Sequence, residues 1–288
     1  MNSTSDQTMT RIGADSLPVR WDAVSLMYHD VIRERPDESG YLVPGSAQYK
    51  LTVERFREHL VAIAELTDHA PVVATGSTRP ASTSATSGVA PFAMTFDDGG
   101  SSAYSIIAPM LEEYGWRGHF FVATEHLGTE RFITAQQAIE LHERGHVIGS
   151  HSHSHPERFS SLDPASQVAE WATSTATLSD LLGVAVEVAS VPNGYYTPAV
   201  ARAAAQAGIR LLFTSEPTVR SHQVAGCTVA GRFSIQRSTT ASVVVALVGA
   251  NPFYRLRQGY AWGAKKAVKR VGGEFYLRAR NSILRRTD

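Results

Sequence analysis

The sequence has one cysteine, Cys227, and so cannot form an intrachain disulfide. It has no net charge, with 27 Lys+Arg against 27 Asp+Glu, so the body of the chain exerts no bulk attraction on nucleic acid. Nowhere does it string together the roughly 18 apolar residues of a membrane-spanning helix. Its opening, MNSTSDQTMTRIGADSLPVRW, carries no apolar run of signal-peptide length. These absences lead us to expect a cytoplasmic protein without a membrane span or a nucleic-acid partner.

What is present is an ordinary globular composition, 43% hydrophobic and 19% charged over 288 residues, enough for one large α/β domain or two modest ones. The charge is unevenly placed. Residues 251–288 hold ten Lys and Arg against Glu274 and Asp288, a net of +8 that leaves −8 on the rest. We therefore divide the chain into a domain at 1–250 and a basic extension at 251–288. The extension mixes aromatic, leucine and basic residues, a pattern suited to peripheral contact with an anionic membrane surface.

The domain reads as alternating strands and helices. Short apolar runs predict strands at 23–29, 92–96, 118–123, 146–150, 186–191, 210–214 and 227–235. Val53, Phe56, Leu60 and Ile63 are spaced for one face of a helix over 53–66. Further helices are expected at 101–114, after Thr134 to about 144, after Asp163-Pro164 to about 182, and after Thr197-Pro198 to 207. Residues 240–249 form a short apolar run of unassigned type. A Ser/Thr/Gly/Pro/Ala-rich insertion at about 69–91 reads as a surface loop. Strands joined by helical crossovers predict a parallel sheet, and about seven of them predict a distorted (β/α) barrel. In such a fold the chemistry gathers where strands run into loops at their carboxyl ends.

Several polar clusters fall at those ends. TFDDGG (95–100) follows the strand at 92–96, and HSHSHP (151–156) follows the strand at 146–150. His29 ends the first strand, and PNGYY (192–196) follows the strand at 186–191. An extended HSHSH would hold His151 and His155 roughly 13 Å apart at about 3.3 Å per residue. Pro156 disfavours helical geometry at His155. A curled loop remains, and it can bring His151 and His155 together as metal ligands, with His153 in reserve. Two adjacent aspartates serve one site only where the strand curls, and Gly99 and Gly100 permit the curl. One carboxylate can then complete a two-His, one-Asp set with positions left for water. The other can take a proton. A divalent cation so held lowers the pKa of bound water to about 7, which points to an amide or ester hydrolase.

With these motifs the chain resembles the polysaccharide deacetylases of the NodB-homology class, carbohydrate esterase family 4. TFDDG (95–99) is similar to the first motif of that family, and GHVIGSHSHSHP (145–156) is similar to the second. The resemblance is strong over about 92–200. It implies a NodB-like distorted barrel over 1–250, a divalent metal with zinc the first choice, and removal of acetyl groups from sugars. Carried over by motif position, Asp97 resembles the base, Asp98 the metal aspartate, and His151 and His155 the metal histidines. The third motif departs. ASVPNGYY (189–196) has no arginine to orient the base, so what tethers Asp97 is open. Arg232 is a weak candidate and reads more readily as a structural or surface residue. The Asn193 backbone N–H can still polarise an acetyl oxygen. The segment that supplies the general acid is also missing from its usual place, and His222 lacks its context. Leu26-Met27-Tyr28-His29 carries the pattern instead, similar to a circularly permuted subset that includes poly-N-acetylglucosamine deacetylases. This assigns His29 as acid. Tyr195 and Tyr196 are candidate sugar-stacking residues, with Trp116 and Trp171 behind them. The expected substrate is an acetylated glycan or a lipid-linked sugar. The alternatives are a non-catalytic glycan-binding protein and a hydrolase of a non-sugar amide.

Overall fold

A computed structural model describes residues 20–73, 89–259 and 263. Most of the insertion at 69–91 and most of the basic extension at 251–288 lie outside the described residues, and so does the membrane contact expected of the extension. Among the described residues no helix is long and apolar enough to cross a membrane.

The chain opens with β1 (Val24–Tyr28), followed by the two-residue strands β2 (Val31–Ile32) and β3 (Leu51–Thr52) and by α1 (Val53–Leu66). Then come β4 (Phe92–Phe96), α2 (Ala108–Glu112), β5 (His119–Val122), α3 (Ala135–Glu143), β6 (Val147–Ser150) and α4 (Pro164–Leu182). The rest is β7 (Val188–Ser190), α5 (Pro198–Gln206), β8 (Leu211–Phe213), β9 (His222–Val224), β10 (Cys227–Ala230), β11 (Phe233–Ser234) and α6 (Ala241–Val248). The caps read from the sequence are in place. Thr134 and Gln137 form a reciprocal capping box on α3, Asp163 accepts from the N–H groups of Ala165 and Ser166, and Thr197 accepts from Val200. The helix expected over 101–114 begins instead as a π-helical turn, Ala103–Ile107, and becomes α2 only afterwards. Pro109 explains the join, because it has no N–H to give to the preceding turn.

Among the described residues nine strands form one sheet in the order β11-β1-β4-β5-β6-β7-β8-β10-β9, and β2 pairs with β3 apart from it. Every pairing in the large sheet is parallel except β9 with β10. The run expected as one strand at 227–235 is two. It breaks at Gly231-Arg232, and the halves join opposite sides of the sheet, β10 beside β8 and β11 beside β1. A two-residue link between strands so far apart in strand order requires the sheet to curl almost shut, which is the distorted barrel that was expected. β9 was not foreseen because HQV is short, polar and largely exposed. The unassigned run at 240–249 is α6, packed on α1.

The central strands are buried on both faces, as the continuous apolar runs of β1 and β4 require. Tyr28, Phe96 and Phe120 stack in series through that core, and Phe56 meets Tyr28 and Phe96 edge-on. Trp116 and Trp171, named above as possible sugar platforms, are core residues, 5% and 0% exposed. Gly149 marks the closest packing in β6. A Cβ there would lie 2.6 Å from the Phe121 ring and 2.8 Å from the Val188 carbonyl oxygen. We expect Gly149→Ala to lower stability by about 1–3 kcal/mol through this overpacking, read as a drop in melting temperature. An unchanged melting point would show that strands β5 to β7 are looser than described.

Candidate active site

Parallel register brings the motifs together. Tyr28 on β1 pairs with Phe96 on β4, so the next residues, His29 and Asp97, leave the sheet side by side, with the Asp97 N–H donating to the Tyr28 carbonyl (3.1 Å). Two strands away, Val122 pairs with Ser150, and the His151 N–H donates to the Val122 carbonyl. Ser150 pairs with Ala189, which places Ser190 beside His151. The candidate residues thus come from strand ends on one rim, as the alternation of elements implied.

At Asp98 the chain turns into the left-handed region (φ 80°), and Gly99 follows it (φ 79°). This is where a strand that would point consecutive side chains apart brings both into one site. The glycines have a further reason that the sequence did not disclose. A Cβ on Gly100 would sit 2.0 Å from Asp30 Oδ1, so the group that approaches this backbone is the protein's own carboxylate. Asp30 accepts from the hydroxyls of Ser39 (2.5 Å) and Ser102 (2.8 Å), and it fastens the segment after β1 to the turn after β4.

The histidine segment is curled. Ser152 (φ 66°) and His155 (φ 53°) both lie in the left-handed region. Glu170, on α4, holds the curl. Its carboxylate accepts from the N–H groups of His153 (3.0 Å) and Ser154 (2.9 Å) and from the Ser154 hydroxyl (2.6 Å). The loop thereby sends His151 and His155 inward, while His153 turns to the hydroxyl of Thr124. Asp98 Oδ1 lies 3.4 Å from His151 Nε2 and 3.5 Å from His155 Nε2. The ligand atoms of these three residues are all within 4.8 Å of one another. Two ligands about 2.1 Å from a tetrahedral cation stand roughly 3.4 Å apart, so the residues fit a zinc-like ion. The His151 Nδ1–H donates to the Ser190 carbonyl (2.9 Å), which leaves Nε2 as the nitrogen free to bind a cation.

The electrostatics separate the two aspartates. Burial works against ionising Asp98, but its hydrogen bond to His151 and the nearby charges of His29, His155 and His151 hold its pKa well below the usual range. For Asp97 burial is again the largest influence, and it is outweighed by the charge and hydrogen bonds of Arg232 and by the histidines. Burial pushes His155 down to about 4, towards the neutral form that binds metal. His151 is raised despite burial by Asp97 and Asp98, and a cation would displace that proton.

Arg232 corrects the sequence reading. It is neither a surface residue nor a bystander. It is 0% exposed, and its two terminal nitrogens donate to the two oxygens of Asp97 at 2.6 and 2.7 Å. The same guanidinium bonds the Ser190 hydroxyl, the Thr95 hydroxyl and the Thr214 carbonyl. It gives Asp97 the arginine partner that ASVPNGYY does not supply. The available signal was an arginine next to a glycine at the end of an apolar strand. Glu170, by contrast, sits on a helix surface and gave no signal.

Around this centre, His29 packs against Tyr49 (4.7 Å between ring centroids), and its Nδ1 is buried without a hydrogen-bond partner among the described residues. Asn193 is exposed at φ 55° and reaches the Pro156 carbonyl at 3.5 Å. Tyr195 lies under the Arg158 guanidinium, and the Tyr196 hydroxyl meets His222. Tyr196 also packs partly against the core.

Residues 85–212 match the family model described as polysaccharide deacetylase. A Bacillus subtilis protein, YxkH, assigned to the polysaccharide deacetylases, is 30% identical over 128 residues, which is 44% of this chain and 46% of that one. The chain thus spans about half of this curated relative. Among solved structures, the Streptococcus pyogenes deacetylase PplD in complex with acetate superposes with a TM-score of 0.65 at 19% identity, covering 81% of this chain and 99% of its own. IcaB from Ammonifex degensii does so at 0.61 and 20%, covering 81% and 100%. These likenesses establish the NodB-like fold, and the family match covers both motifs.

Two variants probe the scaffold. Glu170→Ala should weaken zinc binding by roughly 10–100-fold, as loss of an outer support does, while the chain stays folded; undiminished affinity would show that the loop curls without it. Arg232→Met leaves a buried carboxylate uncompensated and should cost about 3–5 kcal/mol in denaturant unfolding. A cost within measurement error would mean that Asp97 needs no partner.

Proposed function

With residues 85–212 matching the polysaccharide deacetylases, we propose that this chain is a metal-dependent hydrolase that removes acetyl groups from N-acetylated sugars of a polysaccharide or glycan precursor. One observation carries the reading. Two neighbouring carboxylates have different partners, Asp98 the imidazoles of His151 and His155, and Asp97 the guanidinium of Arg232.

Asp98, His151 and His155 would hold the cation. When bound, it lowers the pKa of a coordinated water to about 7 and polarises the acetyl oxygen. Asp97 stands beside Asp98 with its orientation fixed by Arg232 and Ser190, and it accepts the proton that the attacking water loses. As the water oxygen bonds to the acetyl carbon, the carbonyl oxygen gains charge, and the Asn193 backbone N–H is assigned to stabilise it. His29, on the other side of Asp97, gives a proton to the departing sugar nitrogen as the carbon–nitrogen bond breaks. The products are acetate and a free amino sugar. Tyr195 is assigned to the sugar ring. The absence of a third-motif arginine would favour the non-catalytic alternative, and the bidentate contact of Arg232 with Asp97 speaks against it.

The test is acetate release from N-acetylglucosamine oligosaccharides by the purified chain. We expect release with zinc, none after chelation, and recovery on adding the metal back. Asp97→Asn should lose about 10²–10⁴-fold in rate with zinc still bound. A zinc-loaded chain that frees no acetate from any N-acetylhexosamine glycan would sink the proposal. His29 admits a sharper check. An aryl acetate has a leaving group that departs without a proton, so His29→Gln should slow the sugar amide by about 10²–10⁴-fold and spare the aryl ester. Equal loss on both substrates would remove His29 as the acid.

A further inference from the structure

The two candidate metal histidines are not oriented alike. An imidazole ligand ordinarily donates its second N–H to a fixed acceptor, which sets the ring's rotation about the metal bond. His151 does this through Ser190. For His155 no acceptor to Nδ1 is found among the described residues; its only hydrogen bond there is from the backbone N–H to the Ser152 hydroxyl. Its ring instead lies against the ring of Tyr41, stacked at 4.6 Å between centroids and 29° between planes.

Tyr41 is itself held. Its ring meets His126 edge-on at 5.1 Å and Phe132 at 4.9 Å, and those two stack on each other. The backbone is held by the same segment. The Arg131 carbonyl accepts from the Gly40 N–H (2.9 Å) and from the Ser101 N–H (2.8 Å), while the Ile133 N–H donates to the Gly99 carbonyl. Residues 131–133 therefore pin Tyr41 and the turn that carries Asp98 to one support. The Tyr41 hydroxyl is buried and meets no partner among the described residues, so the contact with His155 is a matter of the ring.

We propose that Tyr41 is a positioning residue for the metal site: its ring does for His155 by stacking what the Ser190 carbonyl does for His151 by hydrogen bonding. The proposal rests on reading Asp98, His151 and His155 as metal ligands. It does not rest on the reaction the metal serves. A stacked ring stops the imidazole from rotating out of plane but carries no proton, so it fixes His155 without fixing its tautomer.

The experiment measures zinc affinity of the full-length apo chain by competition with a chromophoric chelator, and the visible absorption of the cobalt form. Tyr41→Phe keeps the ring and should bind zinc within twofold of the unsubstituted chain, with the same cobalt spectrum. Tyr41→Leu should lose about 10–100-fold in affinity, the range for an outer support of a metal ligand, and its cobalt bands should shift and weaken. Melting temperatures identify variants that fail to fold; if the leucine variant does, Tyr41→Met takes its place. The proposal is overturned if the leucine or methionine variant binds like the unsubstituted chain, if Tyr41→Phe loses as much as Tyr41→Leu, or if the unsubstituted chain binds no zinc. A chain that binds zinc through Asp98, loses it as stated on Tyr41→Leu, and yet releases no acetate would overturn the deacetylase reading and leave Tyr41's role standing.

Discussion

The buried ion pair between Arg232 and Asp97 is the interaction on which the rest depends. Arg232 lies in the two-residue link between β10 and β11, where the sheet curls back on itself. Its guanidinium reaches Asp97 after β4, Ser190 at the end of β7 and the Thr214 carbonyl after β8. A charged group fully withdrawn from water is tolerable only when its donors are met. The strand ends that meet them must therefore come together. Closing the sheet and placing the candidate base are one event. The guanidinium also lies over the rings of Phe121 and Phe213, within 6 Å of each, where their π faces attract the cation.

Backbone strain is concentrated at the same rim. Asp98, Ser152, His155 and Asn193 all have positive φ without being glycine, a conformation that costs of order 1–3 kcal/mol per residue and persists only where the surroundings enforce it. Here the enforcing groups can be named. Asp30 with its two serines holds the turn at Asp98, and Glu170 holds the histidine loop. Both are carboxylates that end no strand and carry no motif. They lie one layer outside the candidate ligands and bond mainly to loop backbone and hydroxyls. The site is thus two nested sets of acids, an inner pair disposed for chemistry and an outer pair that keeps the inner loops bent.

What could be read from the chain follows from how each feature is encoded. Strands buried on both faces announce themselves as apolar runs, and helices with a cap and a proline at their start announce their beginnings; hence β1, β4 to β8, α1 and α3 to α5 were legible. The site was legible where its residues are neighbours in sequence, as in Asp97-Asp98 and His151 to His155. Arg232 was undervalued because its meaning depends on a partner 135 residues away. A sheet that crosses itself within Gly231-Arg232 has no local signature, and the run at 227–235 looks like one strand. Glu170 and Tyr41 were invisible for the same reason. An acid on a helix and a tyrosine in a loop are ordinary until the fold brings a curled backbone or an imidazole against them.

The pairing of Asp97 with Arg232 also sets a chemical requirement that the neighbouring triad answers. A general base works best when its pKa lies near the working pH, and Arg232 holds Asp97 in the opposite direction, below the ordinary carboxylate range. Alone, such a group would be ionised and aimed but feebly basic, and it could not take a proton from ordinary water at a useful rate. The mismatch closes only if the proton to be taken is itself acidic. A cation held by Asp98, His151 and His155 would make it so, bringing a bound water down to about 7. On the proposed function, the arginine that keeps Asp97 charged and in place would make it depend on a bound cation, and the water so activated would in turn need a carboxylate that no ligand site has claimed. Adjacent positions in the chain, separated by one left-handed turn at Asp98, satisfy both demands at once.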